Sequence, residues 1–90
     1  MNKQELVKKI AEDTEMTQKD AAAVLESALA WIEKTVASGE KVQLVGFGTF
    51  ERKKREARLS RNPRTGEEVQ IQAAFLPTFK AGKGFREEVR

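Results

Sequence analysis

Apolar positions Leu6, Val7, Ile10 and Ala11 recur at helical spacing and predict an amphipathic helix over about residues 3–13. Thr17 followed by Asp20 has the form of an N-cap with an acidic third residue, which opens a second helix. That helix runs to about Ser38 and stops at Gly39, a residue suited to the left-handed position past a helix end. At about 100° per residue, Ala21, Leu25, Leu29, Ile32 and Val36 fall close to one line, with Ala28 beside it. Trp31 lies about 120° away, next to Val24, and is expected partly exposed or at a contact edge. The helix carries too few basic residues for a base-stacking role to suit that ring.

The period then changes to two. Val42, Leu44 and Val45 predict a strand, and Gly46-Phe47-Gly48 a tight turn. A second strand starts at Thr49 and continues into Glu51-Arg52-Lys53-Lys54-Arg55-Glu56-Ala57-Arg58. Asn62-Pro63-Arg64-Thr65-Gly66 combines an opening Asn, a Pro that fixes φ and a closing Gly, and predicts a turn. Val69, Ile71, Ala73 and Phe75 alternate with Glu68, Gln70, Gln72 and Ala74 in a third strand, which Pro77 ends or places at an edge. A short amphipathic helix over roughly residues 82–89 closes an α+β chain.

Composition narrows what such a chain can do. Ninety residues make one domain at most, and one this short buries too little surface to be comfortably stable alone. Without cysteine or histidine, neither disulfides nor the usual metal ligands are at hand, so no metal and no cofactor is expected. Oligomerisation, with two chains sharing a core, is the remaining remedy. The charged beginning has no apolar run of a signal peptide, and no stretch is long enough for a membrane span, so a cytoplasmic location is expected.

Charge is unevenly spread. Residues 1–40 hold five Lys/Arg against eight Asp/Glu, whereas residues 41–90 hold twelve against six. An acidic half joined to a basic half implies that one part faces a polyanion. Residues 51–65 concentrate seven Lys/Arg against two Glu. Their strand is basic on both faces, with Arg52, Lys54 and Arg58 on one and Lys53, Arg55 and Arg61 on the other. At ~3.3 Å per residue, the run from Glu51 to Pro63 reaches about 40 Å, so the hairpin must project from so small a body. A lone two-stranded ribbon is marginal in water, so mobility until it meets a partner is expected. A ribbon lying along a nucleic-acid groove accounts for this pattern better than a solvated hairpin with incidental charge. Pro63, a rigid apolar ring at the tip, is either a wedge between base pairs or simply a turn former.

Gly46-Phe47-Gly48-Thr49-Phe50, Ala57-Arg58, Arg61-Asn62-Pro63-Arg64-Thr65-Gly66-Glu67, Pro77-x-Phe79-Lys80-x-Gly82-Lys83 and the opening Met1-Asn2-Lys3 resemble the signature of the HU and integration-host-factor family. The resemblance covers essentially the whole chain and favours the HU branch over the sequence-selective host factor. It implies an intertwined dimer with helices at the base, sheets as a saddle and two arms around double-stranded DNA. The family is itself among the known minor-groove benders. Pro63 would then intercalate, with Arg61, Asn62, Arg64 and Thr65 beside it in the minor groove. Arg52, Lys53, Arg55 and Arg58 would track phosphates, while Lys3, Lys80, Lys83 and Arg86 would meet flanking DNA. The dimer core would hold Leu25, Leu29, Ile32, Val36, Leu44, Phe47, Phe50 and Phe79. Residues 1–40 would form the helical dimerisation part, 41–81 the sheet and arm, and 82–90 the last helix. Four positions depart from the family: Ser60 stands for a usual Gly, Phe85-Arg86 for a commoner Leu-Lys, and Trp31 for a small residue.

The implied function is a histone-like protein of the bacterial nucleoid that bends, wraps and compacts DNA with little sequence specificity. Bent, nicked or gapped DNA would be preferred, by a homodimer or by a heterodimer with a paralogue. Three other classes fit less well. An RNA-recognition sheet shares the Gly-Phe-Gly-x-Phe pattern but begins with a strand rather than two helices. An enzyme would need a base for Ser27, Ser38 or Ser60, and Gly46-x-Gly48 lacks the third glycine of a dinucleotide loop. No small-molecule substrate is therefore expected. A purely structural dimerisation module leaves the arm unexplained.

Overall fold

The computed structural model describes residues 1–90, which pack as two units, residues 1–34 and 35–90. In the first, α1 (Lys3–Thr14) begins at Asn2, whose side-chain Oδ1 accepts from the Glu5 amide at 2.9 Å. It ends at Glu15, which sits in the left-handed region with φ 59°. The second helix, α2 (Gln18–Ala37), begins where its sequence predicts: Thr17 Oγ1 accepts from the Asp20 amide at 3.1 Å. Val7, Ala11 and Ala21 are buried together, and Ile10, Ala22 and Leu25 pack against them. Gly39, with φ 98°, takes the conformation that stops α2 and that a side chain would strain.

In the second unit, β1 (Val42–Leu44) pairs antiparallel with β2 (Gly48–Arg55), which pairs with β5 (Ala74–Ala81). The turn between β1 and β2 is Val45–Gly46–Phe47, closed by the Phe47 amide donating to the Leu44 carbonyl, so Gly48 already belongs to the strand. A separate two-stranded sheet follows, β3 (Arg58–Arg61) with β4 (Glu68–Ile71), and α3 (Lys83–Val89) ends the chain.

Two strand expectations need correction. The strand expected over 69–75 is two strands, separated at Gln72 and Ala73 opposite a matching gap at Glu56 and Ala57. Arg55 pairs with Ala74 and Arg58 with Ile71, so the register passes through the gap without a bulge. Pro77 does not end a strand but lies inside β5 opposite Arg52. Because β5 is an edge strand, paired only with β2, the missing N–H of Pro77 falls on the open side and costs no ladder bond.

The core of a single chain is thin. Only Val7, Ala11, Ala21 and Val36 are buried apolar residues, and no large side chain is fully enclosed. Leu29, Leu44, Phe47 and Phe79 are 41, 42, 46 and 42 % exposed. Leu25, Ile32 and Phe50, from the same expected core, are half-buried. Phe79 sits at the centre of an aromatic group, 5.5 Å from Phe47, 4.8 Å from Phe50 and 6.1 Å from Phe85 by ring centroids. Phe85 completes it, 5.2 Å from Phe47, a role the sequence pattern did not assign to it.

Candidate nucleic-acid interface

The β1 strand reaches only as far as Phe50, so from Glu51 onward the chain is a two-stranded ribbon. It runs through the Glu51–Thr78 pair to the Arg61–Glu68 pair and closes at a six-residue tip. At the tip the Asn62 amide donates to the Glu67 carbonyl and the Gly66 amide to the Asn62 carbonyl, both at 2.8 Å. Asn62 Oδ1 accepts from the Arg64 amide at 2.9 Å, which makes an Asx turn around Pro63. Thr65 Oγ1 accepts from the Glu67 amide at 3.3 Å. Asn62 and Thr65 thus hold the turn, leaving Pro63 and Arg64 exposed between them. Both residues expected to read DNA are therefore also needed to shape the tip.

Antiparallel partners share a face, which sorts the basic residues of β2. Lys53 and Arg55 lie on the face of Thr49, Glu51 and Lys80, while Arg52 lies on the face of Phe50 and Phe79. Arg52 is engaged inside the unit: its Nη1 donates to the Ala37 carbonyl at 3.1 Å, and its guanidinium lies 3.8 Å above the Phe75 ring. It joins the end of α2 to the root of the ribbon, a structural tie beside the phosphate contact that the family resemblance implies for it. Arg55 donates to the Gln72 carbonyl at 3.0 Å and so spans the gap between the two strand pairs. Lys54 stands 3.7 Å from Glu56, and Lys3 stands 3.4 Å from Glu26; both pairs are exposed and weakly held.

The remaining expected contacts have no internal partner. Lys53, Arg58, Arg61, Arg64, Lys80, Lys83 and Arg86 form neither ion pair nor side-chain hydrogen bond, and six of the seven project from the ribbon, β5 and the start of α3. These cations are left without a partner inside the protein. The arm also carries exposed Leu59 (70 %) and Val69 (48 %), apolar groups that the charge analysis passed over.

Arg52→Ala is expected to loosen the ribbon root, at a cost of about 1 kcal/mol for the lost hydrogen bond and ring contact. Faster amide exchange at residues 37–39 and at Phe75 and Leu76 would show it, with Arg52→Lys restoring little because a lysine lacks the planar stack. Unchanged exchange in the alanine variant would deny the tie.

The whole chain, residues 1–90, matches the family model described as "Bacterial DNA-binding protein". It is 53% identical over 89 residues to DNA-binding protein HU of Streptococcus thermophilus, covering 99% of this chain and 98% of that one. The chain belongs to the HU family of bacterial DNA-binding proteins. HU of Streptococcus mutans is 51% identical over the same length. Among solved structures, the Anabaena HU–DNA cocrystal superposes with a TM-score of 0.92 at 54% identity, covering 99% of this chain and 97% of that one. Thermotoga maritima HU superposes at 0.71 and 33% identity over the full length of both. This HU-family chain is a histone-like DNA-binding protein and not an enzyme, and its α+β fold is the one its sequence predicts. No helix is long and apolar enough to cross a membrane.

Proposed function

We propose that this HU-family protein acts as a dimer that bends, wraps and compacts double-stranded DNA in the bacterial nucleoid, with little sequence preference. The observation that carries this reading is the ribbon tip, where Pro63 stands exposed between Arg61 and Arg64, neither of which has an internal partner. Proteins that bend DNA from the minor groove, this family among them, press apolar wedges between base steps while cations hold the phosphates. Pro63 supplies the wedge, and Arg61, Asn62, Arg64 and Thr65 line the groove around it. Lys53, Arg55, Arg58, Lys80, Lys83, Arg86 and Lys3 follow the backbone on either side. A paralogue could replace the second copy without changing this geometry.

Dimerisation follows from the thin core. Leu29 in the first unit and Leu44, Phe47 and Phe79 in the second are each half-exposed, and a chain this short has little other core to hold it. A second copy covering them completes a core, and two chains bring two arms to one duplex.

Smoothly bending a 20–30 base-pair site by 40–90° costs on the order of 1–6 kcal/mol. DNA that is already kinked, nicked or gapped relieves much of that cost, so such forms are bound more tightly. Nothing along the ribbon has the paired geometry of a major-groove reader, and sequence preference is correspondingly weak. The test compares nicked and intact duplexes of equal length with the protein and with Pro63→Ala. Tighter binding of the nicked duplex is expected, along with a variant that bends less while binding nearly as well. Equal affinity for both duplexes, or equal loss of bending and binding, would reduce Pro63 to a turn former.

A further inference from the structure

Opposite the apolar stripe of α2 runs a second face that neither the expected dimer core nor the DNA reading uses. Asp20, Val24, Ser27, Trp31 and Lys34 recur at spacings of three and four, and all five are exposed. Val24 is 56 % and Trp31 65 % exposed, and the Lys34 ammonium lies over that ring, 5.4 Å from its centroid. The Asp20 carboxylate and the Lys34 ammonium have no ion-pair partner. An isolated exposed apolar side chain needs no explanation, but two on one face between opposite charges make a patterned surface.

The pattern is self-complementary. In an antiparallel pair of these helices with a two-fold axis at Ser27, Asp20 of one copy is level with Lys34 of the other. Val24 then stands within one residue, or about 1.5 Å along the axis, of the other copy's Trp31. Ser27 falls at the crossing point, where a small side chain lets the backbones approach. Two-fold contacts of this kind repeat every interaction, so one helix face supplies two Trp–Val contacts and two ion pairs.

We propose that this face joins two copies of the protein through antiparallel α2–α2 packing, beyond any dimer formed by the Leu25–Val36 stripe. On a chain that already forms a dimer, such contacts link dimers; on a lone chain they make one. The patch is small, so the association is weak and concentration-dependent.

The chain has one tryptophan and no tyrosine, so its intrinsic emission reports this face alone. Sedimentation and fluorescence are to be followed together over rising protein concentration without DNA. The mass is expected to rise to at least twice its basal value while the Trp31 emission moves to shorter wavelength and its quenching by iodide falls. Trp31→Ala should keep the basal mass and weaken the second step at least about tenfold, as loss of a buried aromatic anchor does. Lys34→Glu should weaken it as well, and adding Asp20→Lys to that variant should restore it. A constant mass, an emission that does not move with mass, or a charge reversal that fails to rescue would overturn the proposal. An emission change that appears only with duplex DNA and leaves the protein stoichiometry unchanged would also overturn it and assign the face to DNA.

Discussion

Replacing Arg61 and Arg64 together with alanine is expected to weaken duplex binding by one to two orders of magnitude near physiological salt. The slope of log affinity against log salt should fall by about two, since each neutralised phosphate contributes about 0.9. Both side chains flank the exposed proline, and neither is tied to the protein. Removing them therefore takes away contacts to DNA without breaking any within the chain. Their loss should act about equally on all sequences, because cations at a phosphate or in a minor groove read little else. Arg52→Ala provides the contrast. Its guanidinium is held by Ala37 and Phe75, so it should leave the salt slope nearly unchanged. A tip double variant with an unaltered slope would remove the ribbon tip from the interface.

That contrast marks where the sequence stops being informative. Charge counting treats the seven basic residues of 51–65 alike, and alternation assigns them to faces. It cannot know that the face of Arg52 is also the face of Phe50 and Phe79, because the pairing of β2 with β5 joins residues about 25 positions apart. Arg52 is drawn into the protein by an aromatic ring and a helix-end carbonyl, both invisible to local pattern. The same non-local pairing explains Pro77. Read locally it breaks a strand, yet the edge position of β5 makes its missing donor harmless.

Helices fared better because their signals are local. The Thr17 cap and the Gly39 stop each act within four residues, and both appear as the sequence predicts. The Asn2 cap is equally local, and Asn is among the favoured capping residues. The tip turn was legible for the same reason: Asn62, Pro63 and Gly66 encode it on their own. The gap at residues 56–57 and 72–73 was not legible, since Gln72 and Ala73 preserve the alternation while making no ladder there. Phe85 falls within the helix predicted over roughly residues 82–89, but its place against Phe47 depends on the fold of the whole second unit.

Gly48→Ala is expected to be among the most damaging single substitutions in the chain. A Cβ built there would lie 2.5 Å from two atoms of the Phe79 ring and 2.7 Å from the Lys80 carbonyl oxygen. The ring belongs to the central residue of the aromatic group and cannot swing aside without parting from Phe47 and Phe50. The carbonyl belongs to β5, which pairs with β2 at this point through Gly48 and Ala81, so it can move only if the ladder opens. Overpacking in a well-packed site costs about 1–3 kcal/mol, and a backbone obstacle places this one at the upper end. For a chain of this size, about 3 kcal/mol lowers Tm by roughly 12–24 °C. Thermal unfolding at fixed protein concentration checks this, because an associating chain unfolds at a temperature that depends on concentration. Combining Gly48→Ala with Phe79→Leu should recover part of the loss, as neighbouring substitutions that share one space are not additive. A Gly48→Ala protein that melts within a few degrees of the original would mean that β2 and β5 are not packed as closely as this register requires.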